Sequence, residues 1–279
     1  MGKITVNEFL RKKTEQEKIT MITAYDYPFA MIADEAGIDA VLVGDSLAMV
    51  VQGLDTTLPV TMDEMIYHTK MVSRAVRNAM VIGDMPFLSY QASVESAIRN
   101  GGRFLKEAGA SAVKMEGGAE IREQIKAVAM ADIPVVAHIG LMPHAVHRMA
   151  GYKLQGRNFD EAQKLIEDAH ILVEAGAFAI VLEAVPLGLA ERITKELPIP
   201  TIGIGAGPDC DGQVLVIHDV LGLTAGHAPR FARRYADLGG EIKCAAGEYC
   251  DDVRAGRFPL DAESFHFPVE AGTHKSSKR

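Results

Sequence analysis

Five apolar runs in this 279-residue chain each lead into an ionisable residue. Val41-Leu42-Val43-Gly44 leads to Asp45, and Met80-Val81-Ile82-Gly83 leads to Asp84. Ala112-Val113-Lys114-Met115 ends in Glu116, Val135-Val136-Ala137 in His138, and Ile180-Val181-Leu182 in Glu183. An uncompensated charge at the end of a buried strand costs several kcal/mol, so a recurrent set of them needs a remedy. A hard divalent cation is one. Oxygen ligands from Asp45, Asp84 and Glu116 suit Mg²⁺ and leave positions for water or a substrate. Lys114 lies two residues before Glu116, on the same side of a strand, and is a natural charge partner. Glu183 differs from the other acids. Its apolar neighbours and the following Ala184-Val185-Pro186 could raise its pKa, which suits a general base; a third metal ligand or a salt-bridged acid is the alternative. His138 could hydrogen-bond a substrate oxygen or serve the structure alone. Each acid taken singly could instead cap a following helix, but Asp45 and Asp84 precede loops.

Two further groups could take part. His144 and His147 are three residues apart in a long loop and could face one metal, although no acid lies beside them in the sequence. Gly203-Ile204-Gly205-Ala206-Gly207 is glycine-rich after a strand, where barrels often hold phosphate. It lacks the unit order and glycine spacing of a dinucleotide fingerprint. Its small residues could also admit a bulky ligand or a neighbouring backbone.

Strands and helices alternate along the chain. Strands are expected at Ile19–Thr23, Ala40–Gly44, Met80–Gly83, Ala112–Met115, Pro134–Ile139, Ile180–Leu182, Thr201–Ile204 and Val214–Val220. Thr5 with Glu8 and Thr61 with Glu64 fit capping boxes. Ser93 and Asn158 or Asp160 can start further helices, and Gly101-Gly102 weakens one of them or marks close packing. Pro229–Leu238 and Glu241–Val253 read as closing helices before an irregular tail. Eight such units predict an α/β fold, a single (β/α)₈ TIM barrel with extra terminal helices; an open doubly wound sheet is the alternative. One domain over 1–279 is expected, with an N-terminal helix at about 5–12, the barrel at about 19–223 and C-terminal helices and tail at about 228–279. In a barrel the strand ends form one mouth, so Asp45, Asp84, Glu116, His138 and Glu183 should converge.

Composition limits the choice of partners. Hydrophobic residues make up 48% and charged residues 24%, ordinary values for a globular chain. A formal net charge of −8 disfavours nucleic acid and anionic membrane. No apolar run approaches the ~20 residues of a membrane span, and the N-terminus carries no secretory pattern. Three cysteines, Cys210, Cys244 and Cys250, form no disulfide framework and favour a reducing compartment.

Eight stretches together resemble the ketopantoate hydroxymethyltransferase family, of the phosphoenolpyruvate/pyruvate barrel group. They are Thr23-Ala24-Tyr25-Asp26, Val43-Gly44-Asp45-Ser46-Leu47, Thr57-Leu58-Pro59-Val60-Thr61, Gly83-Asp84-Met85-Pro86-Phe87, Val113-Lys114-Met115-Glu116-Gly117, His138-Ile139-Gly140-Leu141, Leu182-Glu183-Ala184-Val185-Pro186 and Ile202-Gly203-Ile204-Gly205-Ala206-Gly207. The resemblance covers nearly the whole chain, from about Thr5 to His266. Leu88 stands where a smaller residue is expected and touches only local loop packing. The resemblance implies transfer of a hydroxymethyl group from 5,10-methylenetetrahydrofolate to 3-methyl-2-oxobutanoate, giving 2-dehydropantoate through a Mg²⁺-stabilised enolate. It implies Asp45 and Asp84 as direct Mg²⁺ ligands with Glu116 in the metal shell, and one Mg²⁺ per subunit. It further implies Ser46 and Lys114 as contacts to the oxoacid, beside Asp45, Asp84 and His138, and Glu183 as proton acceptor. A cytoplasmic homo-oligomer, commonly a decamer, is implied as well. A carbon–carbon lyase of the same group is a competing reading, but the Lys-Cys-Gly-His lid usual in such lyases is missing. A barrel that binds a small acid without catalysis is another.

Overall fold

The computed structural model describes residues 2–145, 153–224, 226 and 229–267. The chain divides into two compact units, Met1–Tyr235 and Ala236–Arg279. The first unit runs α1 (Val6–Thr14), β1 (Ile19–Thr23), α2 (Tyr27–Glu35), β2 (Ala40–Val43), α3 (Leu47–Val50), α4 (Met62–Ala75), β3 (Met80–Asp84), α5 (Val94–Lys106), β4 (Ala112–Glu116), α6 (Arg122–Met130), β5 (Val135–Gly140), α7 (Phe159–Glu174), β6 (Ala179–Glu183), α8 (Leu187–Glu196), β7 (Thr201–Ile204), β8 (Gly212–Leu215) and α9 (Ile217–Leu221). The strands pair in parallel in sequence order, and β8 closes on β1. The second unit holds α10 (Leu238–Arg254), of which no residue is buried. Among the described residues no helix is long and apolar enough to cross a membrane.

Two packed layers follow from strand alternation. Ile19, Met21, Ala40, Leu42, Met80, Ile82, Ala112, Val136, Val181 and Ile202 fill the barrel interior, while Val41, Val43, Val81, Val113, Met115 and Leu182 face the helices. The interior residues are even-numbered on β3, β4 and β5 and odd-numbered on β6, and on each strand the alternation continues to Asp84, Lys114, Glu116, His138 or Glu183. A period of two therefore turns all five side chains inward at the upper rim. The lower end is closed by α1. Its Phe9 is fully buried against Phe178, while Lys12 pairs with Asp39 at 2.7 Å and Lys13 with Asp211 at 2.8 Å.

Helix starts follow the sequence where a side chain can reach a free amide. Thr61 and Glu64 form the expected capping box on α4, and Ser93 and Asn158 cap α5 and α7. Thr5 stands at the N-cap of α1 but makes no side-chain cap. Glu8 pairs instead with Arg11 at 2.7 Å, and the chain entry is held by the Ile4 amide donating to the Asn78 carbonyl at 2.7 Å. Helix α5 runs unbroken through Gly101-Gly102. A Cβ at Gly101 would lie 3.5 Å from Ile133 Cδ1, an ordinary contact, and one at Gly102 would face open space, so packing requires glycine at neither position.

Two expected elements differ. The run Val214–Val220 is not one strand: β8 stops at Leu215 and α9 follows. A short apolar run reads alike as buried strand or buried helix. Here the Ile217 amide donates to Thr23 Oγ1 at 3.0 Å and fixes the helical turn. The segment 229–237 forms no helix. Its bonds go elsewhere, Ala232 N to Pro229 O in a turn and Tyr235 N to Val220 O at 2.8 Å, and Phe231 is drawn against Gly205.

Candidate active site

The upper rim is a cavity of about 680 Å³ lined by Asp45, Ser46, Asp84, Lys114, Glu116, His138 and Glu183, with Gly205, Arg230 and Phe231 among its walls. Asp45, Asp84, Glu116, His138 and Glu183 thus reach one place. Register sets their neighbours: Asp84 lies beside Lys114 on β3 and β4, Glu116 beside His138 on β4 and β5, and Gly140 beside Glu183 on β5 and β6.

Lys114 is the hub. Its Nζ donates to Asp84 Oδ1 at 2.6 Å and to Glu116 Oε1 at 3.2 Å, and all three side chains are 2–6% exposed. Asp84 Oδ2 accepts from the Asp45 amide at 3.1 Å, which ties the end of β2 to β3. Burial pushes Asp84 up to about 7; Lys114 opposes this, while Asp45 and Glu116 add to it. Burial alone would also raise Glu116, but Lys114, His144 and His138 outweigh it and hold that carboxyl well below the ordinary range. Burial works against charge on Lys114 too, yet the surrounding acids keep its ammonium protonated above the usual lysine value.

His138 sits between two carboxylates. Its Nδ1 is 3.4 Å from Glu116 Oε1 and its Nε2 is 3.3 Å from Glu183 Oε2, and neither nitrogen makes a well-formed hydrogen bond. Burial and Lys114 disfavour its charged form, but Glu116 and Glu183 prevail and raise its pKa to about 9. Glu183 has the most exposed side chain of the rim acids with a charge partner, at 16%, and so faces the cavity. The backbone around it is held closely. Its carbonyl accepts from the Leu141 amide at 2.8 Å, and a Cβ at Gly140 would lie 2.3 Å from that oxygen. The next residue, Ala184, has φ +48°. A non-glycine residue in that region costs about 1–3 kcal/mol and persists only where the surroundings impose it. Here the Ala184 amide donates to the Ile204 carbonyl at 2.9 Å and its carbonyl accepts from Gln155 at 2.9 Å, so the chain bends immediately after Glu183.

Ser46 Oγ is 2.9 Å from the buried hydroxyl of Tyr25. The glycine-rich stretch makes room for side chains: a Cβ at Gly205 would lie 2.6 Å from Phe231 Cδ1, and one at Gly207 3.0 Å from Leu187 Cδ1.

Two further residues join the site. His144 Nε2 lies 2.9 Å from Asp45 Oδ2, and its Nδ1 is 3.5 Å from Glu116 Oε2. Acids distant in the chain are therefore its neighbours, contrary to the reading of His144 as a histidine without an acid nearby. His147 lies outside the described residues. Tyr90, fully buried in the loop after β3, donates its hydroxyl proton to the Glu116 carbonyl at 2.8 Å and accepts from the Glu116 amide at 2.9 Å. Tyr90 ends no apolar run, so no local signal marked it.

The donor set fits a divalent cation. Asp45, Glu116 and His144 each offer a ligand atom, all within 4.8 Å of one another, and both carboxylates are buried. Asp84 lies beside this group with one oxygen on Lys114 and the other on the Asp45 amide.

The profile of the family described as ketopantoate hydroxymethyltransferase matches residues 3–261. The chain is 56% identical over 264 residues to the 3-methyl-2-oxobutanoate hydroxymethyltransferase of Pelobacter propionicus, covering 95% of this chain and 98% of that protein. It is 55% identical over 270 residues to the protein of the same name from Syntrophomonas wolfei, covering 97% and 98%. Among solved structures, 2,3-dimethylmalate lyase, a PEP mutase/isocitrate lyase superfamily member, superposes with a TM-score of 0.60 at 18% identity, covering 93% of this chain and 91% of that one. Phosphonopyruvate hydrolase in complex with oxalate and Mg²⁺ gives 0.59 at 16% identity, covering 94% and 92%. These two likenesses concern the fold. The full-length match to the family profile and the relatives above half identity decide the rest: the chain belongs to the ketopantoate hydroxymethyltransferase family.

Proposed function

We propose that this protein transfers a hydroxymethyl group from 5,10-methylenetetrahydrofolate to 3-methyl-2-oxobutanoate, giving 2-dehydropantoate in pantothenate biosynthesis. The observation that carries this reading is the pairing, in one cavity, of a solvent-facing Glu183 with a buried Lys114 set among carboxylates. The names of the relatives supply the substrate.

Asp45, Asp84 and Glu116 are the residues that would hold Mg²⁺. Bound there, the cation supplies positive charge to substrate oxygens that gain negative charge during reaction. The remaining work falls to the chain. Lys114 adds a fixed positive charge beside those oxygens, in a site where burial strengthens its effect. Ser46, oriented by Tyr25, binds the oxoacid. Glu183 accepts the proton from C3, and the C3–H electron pair becomes the nucleophile. His138, between Glu116 and Glu183, orients the base. C3 then bonds to the methylene carbon of the folate as one C–N bond of that carbon breaks, and water displaces the other nitrogen and leaves its oxygen as the new hydroxyl; the two freed nitrogens take up the proton held by Glu183 and one from water, so the net transfer consumes one water and releases tetrahydrofolate. The cavity lies within the ~300–1,000 Å³ usual for sites that enclose drug-sized ligands, which leaves room for a second substrate beside a small oxoacid.

The test is exchange of the C3 proton of 3-methyl-2-oxobutanoate into deuterated water, followed by NMR with and without Mg²⁺. Glu183→Gln should slow exchange by about 10²–10⁴-fold, the usual contribution of a general base. Undiminished exchange in a folded Glu183→Gln protein would remove Glu183 from its assigned role. If the wild type exchanges only after tetrahydrofolate is added, the base stands and folate must bind first.

A further inference from the structure

The proposed reaction leaves one buried acid of the cavity without a task. Asp219 follows β8, is 8% exposed and lines the cavity with Thr23, Val214, Val216 and Thr224. Its Oδ1 accepts from Thr224 Oγ1 at 2.5 Å. Among the described residues nothing donates to Oδ2, and no lysine or arginine pairs with the carboxylate. It stands in the first turn of α9, yet its side chain bonds no amide of that five-residue helix. An ionised carboxylate has about four lone-pair sites, so this one is short of donors, and burying a charge in that state is unfavourable. Its place in the barrel is telling. Asp45, Asp84 and Glu116 stand at the ends of β2, β3 and β4. The strands close in sequence order, so the ends of β7 and β8 lie across the mouth from β3 and β4. Register sets Glu183 beside Ile204, and Gly205 follows. The Phe231 ring lies against Gly205, where a Cβ would come within 2.6 Å of it, and is 38% exposed. The arc from β6 to β8 thus offers a carboxylate short of donors and an aromatic ring, on the side of the base.

We infer that Asp219 holds the pterin ring of the folate, its carboxylate accepting from the ring N3–H and the 2-amino group. The inference rests on the folate-dependent reading above and goes beyond it in naming the residue and the edge of the ring that it binds. Those two N–H groups lie side by side and meet a carboxylate as the fork of a guanidinium does. The oxoacid is no candidate for this place, since its carboxylate and oxo oxygens only accept. Phe231 supplies an apolar face beside the flat ring.

The probes are tetrahydrofolate and its 2-desamino analogue, titrated anaerobically by calorimetry into the full-length protein with Mg²⁺ and 3-methyl-2-oxobutanoate present. The wild type should bind the analogue about 10–100-fold more weakly than tetrahydrofolate, the effect of one hydrogen bond to a charged group. Asp219→Asn keeps the size of the side chain and an acceptor for Thr224, but turns an amide N–H toward the ring. It should bind tetrahydrofolate at least about tenfold more weakly and distinguish the two ligands by no more than about twofold. Its affinity for 3-methyl-2-oxobutanoate, titrated separately, should stay within about twofold of wild type. Unchanged tetrahydrofolate affinity in the variant would overturn the inference and leave the folate reading standing. So would equal affinity of the wild type for the two ligands, or discrimination retained in the variant. A matching loss of oxoacid affinity would make Asp219 a support of the whole cavity and overturn it too. A wild type that binds the oxoacid but neither pterin would overturn the inference and the folate reading together.

Discussion

Replacing Lys114 by methionine keeps a long side chain and removes the charge that joins Asp84, at 2.6 Å, to Glu116, at 3.2 Å. Breaking a buried ion pair by deleting one partner costs about 3–5 kcal/mol, because the other charge is left uncompensated. His138 and His144 still face Glu116 in the variant and offset part of that loss. The lower end, about 3 kcal/mol at pH 8 without added cation, is therefore expected. For a unit of this size that corresponds to a fall in Tm of about 6–12 °C.

The pH dependence has a definite sign. In the wild type the folded-state pKa of Lys114 is raised, so its stabilisation is fully present below the ordinary lysine range and lost only as pH rises through the folded value. It is therefore constant between pH 5 and pH 8. Asp84 behaves oppositely. Burial already pushes it up to about 7, with Lys114 pulling it down, so the methionine variant raises it further. The folded variant then holds a proton near neutrality that the unfolded chain releases, and its stability falls as pH rises. Thermal melts at pH 5 and pH 8 should show a small deficit at the lower pH, about 1 kcal/mol, and the full deficit at the higher. Equal deficits at both pH values, or a Tm at pH 8 within about 2 °C of wild type, would show that Lys114 is not what compensates these acids.

Two further expectations concern the scaffold. Thr61→Ala should cost about 1 kcal/mol in chemical denaturation, because it breaks the capping box on α4. Thr5→Ala should change stability by less than about 0.5 kcal/mol, since Thr5 makes no side-chain cap. Gly83→Ala should destabilise by about 1–3 kcal/mol, because its Cβ would lie 2.3 Å from Phe104 Cδ1. The double change with Phe104→Leu should recover part of that loss in the same assay; no recovery would mean that the strain does not lie at the ring.

The barrel was legible in the sequence because its signals are local. Apolar runs at regular spacing, with glycine and capping residues between them, name eight strands and their helices. A period of two then commits Asp84, Lys114, Glu116, His138 and Glu183 to one face of their strands, whichever way the chain later folds. Local signals failed where two structures share a pattern. The run Val214–Val220 suits a strand or a buried turn of helix, and the Ile217 amide on Thr23 Oγ1 decided it. Segment 229–237 lost its helix to bonds with Pro229 and Val220.

Within the site, sequence determined which charges arrive, and tertiary structure decided which of them meet. No spacing reveals that His144 approaches Asp45, 99 positions earlier, or that Tyr90 brackets the backbone of Glu116, 26 positions on. Side-chain parity is a property of one strand, and it survives in the sequence. Contacts between a loop and a distant strand end depend on barrel closure and loop path, which no single stretch of residues contains.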